Sequence, residues 1–128
     1  MSVDSLLNKF KRIEFACLPT PLQEACNLSE TLKGPRIFIK RDDLTGIACG
    51  GNKTRKLEYL MADVIASDAD CVITAGSVQS NHCLQAAAAA ARMGLDCHLV
   101  LCDPPSSLAS GNHFFDYLFK AQIHWTDK

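Results

Sequence analysis

The stretch Gly50-Gly51-Asn52-Lys53-Thr54-Arg55-Lys56-Leu57 joins a flexible turn to the start of a helix. Two glycines relax the backbone, and Asn52 is a residue type that caps helix N-termini. Apolar residues then recur at helical spacing, i, i+3, i+4, i+7 and i+8, and these are Leu57, Leu60, Met61, Val64 and Ile65. The sequence therefore predicts a helix that begins at Lys53 and ends near residue 67.

The first turn of this predicted helix is basic, because it contains Lys53, Arg55 and Lys56. The positive end of a helix dipole disfavours each cation there by roughly a few tenths of a kcal/mol. One interpretation is a solvated basic turn that pairs with Glu58 and Asp63. The other is a helix start that delivers an amine to a ligand, since a lysine so placed can form a Schiff base. The residues alone leave both open.

A second polar segment, Gly76-Ser77-Val78-Gln79-Ser80-Asn81-His82, lies between a predicted apolar strand, residues 71–75, and a predicted helix, residues 81–93. Ligands of open α/β sheets bind at the carboxyl ends of the strands, which makes this segment a candidate binding site. The alternative is that Ser80 or Asn81 only caps the following helix.

The other predicted elements alternate between helices and strands. Helices are predicted over residues 23–33 and 112–120, strands over 36–40, 97–102 and 122–126, and a break over 103–107. This order predicts an α/β fold with three layers, in which a parallel sheet carries helices on both faces.

Charge and hydropathy exclude several classes of protein. The formal net charge is −1 with 21% charged residues, so no excess of positive charge favours nucleic acid or an anionic membrane. No apolar run approaches the roughly 20 residues that span a bilayer. The N-terminus lacks the apolar segment of a secretory signal, and we therefore expect a cytoplasmic protein.

The seven cysteines do not form a disulfide or metal framework, because their number is odd and no Cys-x-x-Cys pair occurs. We expect Cys71, Cys97 and Cys102, which lie in strand-like runs, to act as small buried hydrophobes. No metal site is predicted.

Three blocks resemble a known family in order and spacing: residues 37–46 (IFIKRDDLTG), 50–59 (GGNKTRKLEY) and 74–82 (TAGSVQSNH). The chain from about Phe10 onward is similar to the D-cysteine desulfhydrase and 1-aminocyclopropane-1-carboxylate deaminase family. These are pyridoxal 5′-phosphate enzymes with the tryptophan synthase β-like fold, fold type II. A Gly-Ala pair is usual in that family where this sequence has Lys120-Ala121.

The resemblance implies roles for five residues. Lys53 would hold the cofactor as a Schiff base and act as a catalytic group, and Asn81 would hydrogen-bond the 3′-oxygen of the pyridoxal ring. Ser80 would face the substrate as a second catalytic residue, and Gln79 and His82 would belong to the same substrate pocket. Residues 1–46 would belong to the large domain of such an enzyme, and residues 47–128 to its smaller α/β domain.

The implied activity is D-cysteine desulfhydration, a β-elimination that yields pyruvate, ammonia and sulfide. The alternatives are 1-aminocyclopropane-1-carboxylate deamination, with Ser80 as candidate nucleophile, and cysteate sulfo-lysis. The resemblance also implies a homodimer for the full-length enzyme, with a small amino acid as substrate. No glycine-rich phosphate loop occurs in this sequence, so we expect an N-terminal fragment that is inactive when isolated. A truncated, non-catalytic homologue is the alternative of another class.

Overall fold

The computed structural model describes residues 3–102 and 108–126. The helices within these ranges are α1 (Val3–Leu7), α2 (Cys26–Leu32), α3 (Lys53–Ala66), α4 (Asn81–Met93) and α5 (Gly111–Leu118). The strands are β1 (Leu22–Glu24), β2 (Phe38–Lys40), β3 (Cys71–Ser77), β4 (Asp96–Cys102) and β5 (Gln122–Thr126). A 3-10 turn, Asp42–Leu44, follows β2.

The larger sheet is parallel and has the strand order β3-β4-β5. Thr74 lies opposite Leu99 on β4, and Leu99 lies opposite Ile123 on β5. Helices α4 and α5 connect consecutive strands, as parallel pairing requires. The α/β class and the parallel sheet predicted from the sequence are therefore confirmed.

Helix α4 is the centre of the core, because its small side chains allow close packing against several elements. Ala87 and Ala90 are fully buried and pack in one cluster with Leu99 and Leu101 of the sheet. On a neighbouring side of α4, Ala86 and Ala89 pack against α3 through side chains that include Leu57 and Met61. The start of α3 is thus held against the same helix that covers the sheet.

The predicted helices over residues 53–67 and 81–93 occur as α3 and α4, and α5 and β3 to β5 lie where the sequence placed them. The predicted helix over residues 23–33 is wrong at its start. Leu22–Glu24 is instead a strand that pairs in antiparallel fashion with Phe38–Lys40, and a helix begins only at Cys26. Strand pairing with Phe38–Lys40 therefore overrides the helical preference predicted for residues 23 and 24. The predicted break at 103–107 lies outside the described residues.

The helices packed on the larger sheet lie on one of its faces, within the part of the chain that the structure describes. Leu99 and Leu101 point to that face and are fully buried, whereas Ile73 points to the other and is 70% exposed. The second helical layer expected from the sequence is not among the described residues. No helix within 3–102 and 108–126 is long and apolar enough to cross a bilayer.

Candidate functional site

The loop before Lys53 packs against the N-terminus of α4, and two glycines make this approach possible. Gly50 and Gly51 have φ angles of 74° and 134°, in the region that residues with a Cβ rarely adopt. A Cβ at Gly51 would lie 2.5 Å from Asn81 Nδ2 and 2.3 Å from Gln85 Nε2. The predicted turn at Lys53 and the predicted polar segment at Asn81 are therefore brought together.

Lys53 opens α3 as a half-buried side chain. Among the described residues, its amine has no hydrogen-bond or ion-pair partner. Burial lowers the pKa of the His82 imidazole, and the charges of Lys56 and Lys53 lower it further. The Lys53 amine thus lies near the start of α4 and is free to bind a ligand.

Arg55, by contrast, has a structural role in the same turn. Its guanidinium donates to both oxygens of Asp42, each over 2.7 Å, and to the hydroxyl of Thr20 over 2.9 Å. Hydrogen bonds from Arg55 and Thr20 hold the pKa of the Asp42 carboxyl well below its usual range. This ion pair fastens α3 to the segment around β1 and β2.

The pairing of this basic turn with Glu58, one interpretation of the sequence, is not observed. Glu58 is buried and instead accepts hydrogen bonds from Arg12 over 2.7 Å and from the backbone N–H groups of Phe15 and Ala16 over 2.8 Å. Its distant partners satisfy both carboxylate oxygens. Nor does Asn52 cap α3 through its side chain, although it occupies the N-cap position.

Ser80 is the N-cap of α4, and its hydroxyl oxygen accepts a hydrogen bond from the N–H of Cys83 over 3.2 Å. The capping interpretation of this residue is therefore correct. The hydroxyl hydrogen stays available to donate, since capping uses only an acceptor lone pair. A structural role for Ser80 is consequently compatible with the predicted contact to a substrate.

The side chain of Asn81 has one occupied end and one open end. Its Oδ1 accepts a hydrogen bond from Gln85 Nε2 over 3.2 Å. Its Nδ2 makes no hydrogen bond with residues 3–102 or 108–126. Asn81 thus offers an amide donor beside the loop that leads to Lys53.

Gln79 is bonded to the start of α5. Its Oε1 accepts from the N–H of Asn112 over 2.9 Å, and its Nε2 donates to the carbonyl oxygen of Ser110 over 3.0 Å. Asn112 returns a hydrogen bond through Nδ2 to the carbonyl oxygen of Gln79. These contacts join the polar segment after β3 to α5. The predicted place of Gln79 in a substrate pocket stays a prediction.

His82 lines an open cavity of about 310 Å³ between α3 and β3, whose other walls are mainly apolar. Its Nδ1 is buried and has no hydrogen-bond partner among the described residues. Because burial and two lysines lower its pKa, the imidazole is neutral at physiological pH. His82 can therefore accept or donate a hydrogen bond without carrying a charge.

A buried polar cluster behind the site was missed from the sequence. Thr45, Thr54 and Gln85 are each fully buried and are joined by hydrogen bonds. Thr54 interrupts the basic turn, and Gln85 precedes a run of six alanines in α4. The sequence indicated this cluster only through Thr54 and Gln85, which are polar residues on helix faces that are otherwise apolar.

The cysteines are free thiols, as expected, although their burial differs from the prediction. Cys97 is buried as predicted, whereas Cys71 and Cys102 are only partly buried. Cys83, beside the Ser80 cap, is fully buried. No group of three or more possible metal ligands occurs within the described ranges.

The chain is similar to known proteins over most of its length. Residues 13–128 match the protein family described as "Pyridoxal-phosphate dependent enzyme". Over 126 residues, the chain is 48% identical to proteins named D-cysteine desulfhydrase from Salmonella typhimurium and from Salmonella paratyphi B. Each alignment covers 94% of this chain and 38% of the relative.

A solved structure described as an "ACC deaminase homologue" superposes with a TM-score of 0.89 at 42% identity. This match covers 97% of the chain and 37% of the solved one. The predicted fold type is thereby confirmed. The chain spans well under half the length of the relatives that it matches.

Proposed function

This chain belongs to the family of pyridoxal-phosphate dependent enzymes, and we propose that the complete protein is a lyase that converts D-cysteine and water into pyruvate, ammonia and hydrogen sulfide. The observation that carries the proposal is the position of Lys53. Its half-buried amine lacks a partner among the described residues, and the loop that leads to it packs at Gly51 against the open amide donor of Asn81. The relatives named D-cysteine desulfhydrase support the choice of substrate.

The residues present fit the pyridoxal end of the cofactor. Lys53 supplies the amine that the aldehyde needs, and Asn81 Nδ2 supplies a donor for the ring hydroxyl, the 3′-oxygen. Both residues start helices, and a helix N-terminus favours an anionic group. When bound, pyridoxal phosphate supplies an electron sink that stabilises negative charge at the substrate α-carbon.

The protein residues would then act in sequence. Lys53 would hold the cofactor at the start of α3, and its amine, as a free base, would take the proton from the substrate α-carbon. The electron pair of that C–H bond would form the double bond between Cα and Cβ, and the bond between Cβ and sulfur would break as hydrosulfide leaves. The hydroxyl of Ser80 and the free N–H groups at the start of α4 would orient the substrate carboxylate. His82 and Gln79 would line the same pocket.

Ring opening of 1-aminocyclopropane-1-carboxylate is the second candidate function, favoured by the high structural similarity to an ACC deaminase homologue. This substrate has no α-proton, so Lys53 could not start the reaction as it does with cysteine. Ser80 would instead act as the nucleophile at the ring. Cysteate sulfo-lysis would follow the D-cysteine route with sulfite as the leaving group.

A substrate comparison on the complete protein tests this proposal. We expect sulfide and pyruvate in equal amounts from D-cysteine, with slower or no turnover of L-cysteine, cysteate and 1-aminocyclopropane-1-carboxylate. Faster release of ammonia from the cyclopropane substrate would favour the second candidate. A complete protein without turnover of any of these would point to a non-catalytic homologue.

The assignment of Lys53 is tested by borohydride reduction and peptide mapping. We expect the label on Lys53, its loss in Lys53→Ala and its retention in Lys56→Ala, a matched change in the same helical turn. Label on Lys40 or Lys56 in the wild-type protein would contradict the assignment.

We also propose a cytoplasmic homodimer in which residues 1–46 belong to the large domain and residues 47–128 to the smaller one. The separate antiparallel sheet of β1 and β2, which precedes residue 47, supports this division. The spacing of the seven cysteines suits a reducing compartment. Cell fractionation tests the cytoplasmic location, which a membrane-bound pool would contradict. Analytical ultracentrifugation of the complete protein tests the homodimer, which a monomer would contradict.

A further inference from the structure

We infer that Gln85 is a positioning residue that fixes the amide of Asn81 with its nitrogen as the open donor. The same side chain joins that amide to the carbonyl oxygen of Gly50, before Lys53 in the chain, and to the hydroxyl of Thr54, after it. This inference rests on the proposed function, because the cofactor is the partner that the open donor would meet.

The orientation of the Gln85 amide follows from its two neighbours on α3 and the preceding loop. A carbonyl oxygen only accepts hydrogen bonds, so the side-chain atom 2.6 Å from Gly50 O is the nitrogen Nε2. Oxygen Oε1 then faces Thr54, whose hydroxyl donates to it over 2.7 Å. Because Gln85 is fully buried, water cannot replace either partner.

The second N–H of Gln85 determines the orientation of Asn81. Gln85 Nε2 lies 3.2 Å from Asn81 Oδ1, one helical turn away on α4. Because Gln85 presents an N–H donor here, the Asn81 amide must turn its oxygen, not its nitrogen, toward Gln85. Nδ2 is therefore turned toward Gly51, where a Cβ would lie only 2.5 Å from it.

The hydrogen bonds of Gln85 flank Lys53 along the chain. Gly50 O lies three residues before Lys53, and Thr54 Oγ1 belongs to the residue after it. The N–H of Gly51 donates to the buried hydroxyl of Thr45 over 2.9 Å, which further restricts the loop. Lys53 and Asn81 are consequently held as one unit, although they lie on different helices.

The test is Gln85→Glu in the complete protein loaded with pyridoxal phosphate. This change keeps the shape and the acceptor for Thr54, but an oxygen replaces the nitrogen that donates to Gly50 O and Asn81 Oδ1, so both of those hydrogen bonds are lost. Asn81 then turns Nδ2 toward the new carboxylate and presents Oδ1 to the cofactor. We expect the midpoint of the pH titration of cofactor absorbance to rise by about one unit, a tenfold change in proton affinity. The reason is the loss of a donor to the ring oxygen.

Two comparisons separate positioning from stability. Asn81→Ala should raise the same midpoint, and Gln85→Glu should add little in that background. Leu84→Ala, a change at an adjacent and equally buried residue, should lower the melting temperature without moving the midpoint. If Gln85→Glu does not fold, Gln85→Met removes the same donor without a charge and should shift the midpoint in the same direction.

The two hypotheses fail in different ways. An unmoved midpoint in the Gln85 variants, with borohydride label still on Lys53, would overturn this inference and leave the proposed function intact. A wild-type protein that takes up no cofactor at Lys53 would overturn both.

Discussion

Ser80 is the N-cap of α4 and has a proposed role toward the substrate, and an experiment can separate the two. Its oxygen caps α4 by accepting from the N–H of Cys83, and its hydroxyl hydrogen is available for a substrate. The backbone conformation of Ser80 is extended, as an N-cap requires. Removal of the hydroxyl should therefore affect stability and turnover by different routes.

Ser80→Ala in the complete protein should lower the free energy of unfolding by about 1 kcal/mol through loss of the cap. If Lys53 starts the elimination, exchange of the substrate α-proton should persist, and turnover should fall only through poorer positioning. Denaturant unfolding and proton exchange in deuterium oxide measure the two effects. Ser80→Thr, which keeps an acceptor, serves as control. Complete loss of cofactor attachment at Lys53 would contradict this division of roles.

Asp116 is a buried carboxyl group whose titration should affect stability. Neither of its side-chain oxygens has a hydrogen-bond partner within residues 3–102 and 108–126, and desolvation raises its pKa from 3.8 to about 6. It faces the thiols of Cys83 on α4 and Cys97 on β4, and the ring of His113 on its own helix is also buried. Ionisation of Asp116 therefore introduces an uncompensated charge into the core.

The sign of the pH effect follows from that raised pKa. The folded protein binds the proton more tightly than the unfolded chain, so the stabilisation is complete below about pH 4 and is lost as pH rises through about 6. Asp116→Asn should remove this dependence and stabilise the protein at pH 7 by up to about 3 kcal/mol. Urea unfolding at pH 4 to 8 measures the free energy of unfolding of the wild-type protein and of Asp116→Asn. Asp63→Asn, a change at an exposed carboxyl group, is the control. An equal gain at pH 4 and pH 7 would refute the assignment.

At the scale of elements, the turn between α5 and β5 contains a residue under backbone strain. Lys120 has a φ angle of 60°, in the left-handed region. The turn is closed by hydrogen bonds from its own N–H to Tyr117 O and from the N–H of Ala121 to Asp116 O. A side chain with a Cβ is disfavoured there by about 1–2 kcal/mol, which fits the glycine that is usual in the resembled family.

Lys120→Gly should consequently raise the stability of the protein by at most about 1 kcal/mol, since glycine also gains freedom in the unfolded chain. Lys120→Ala is the matched control, because it removes the charge but keeps the Cβ, and it should give no gain. Thermal unfolding of the two variants and the wild-type protein measures the change in stability. A similar change in both would show that the lysine side chain, not the backbone, matters at this turn.

The elements that the sequence predicted are those in which local pattern and tertiary packing agree. Apolar spacing located α3 and α4, and short apolar runs located β3 to β5. Residues 23 and 24 of the strand Leu22–Glu24 were predicted as helix because the partner strand, Phe38–Lys40, lies across an intervening helix. The hydrogen bonds of Gln85 with Gly50 and Thr54 were missed for the same reason, since more than 30 residues separate the partners. The whole fold determines which distant segments come into contact, and such contacts leave little pattern in the local sequence.

At the scale of the molecule, the larger sheet has one covered face and one open face. Leu99 and Leu101 are completely buried on the face that packs against α4, whereas Ile73 is 70% exposed on the other face. The open face also carries the stacked pair His98 and His124.

The 128-residue polypeptide, produced on its own, should bind pyridoxal phosphate weakly and release no sulfide from D-cysteine. In the proposed function Lys53 and Asn81 would hold one end of the cofactor, but the sequence has no glycine-rich loop for the phosphate. Charge-assisted hydrogen bonds contribute roughly 1.5–3 kcal/mol each, so lack of three or four weakens binding by several orders of magnitude. Fluorescence titration measures the affinity. Stoichiometric binding with sulfide release would show that these 128 residues suffice for activity.

The same polypeptide should self-associate through the open face of the sheet, because an exposed apolar strand surface favours association. Ile73→Thr keeps a β-branched side chain in β3 and should therefore preserve the strand while reducing association. Leu108→Ser is the control, since Leu108 is 91% exposed but lies outside the sheet, and it should leave association unchanged. Sedimentation velocity over a range of concentrations distinguishes them. If Leu108→Ser reduces association and Ile73→Thr does not, the chains associate through a surface other than the open face of β3.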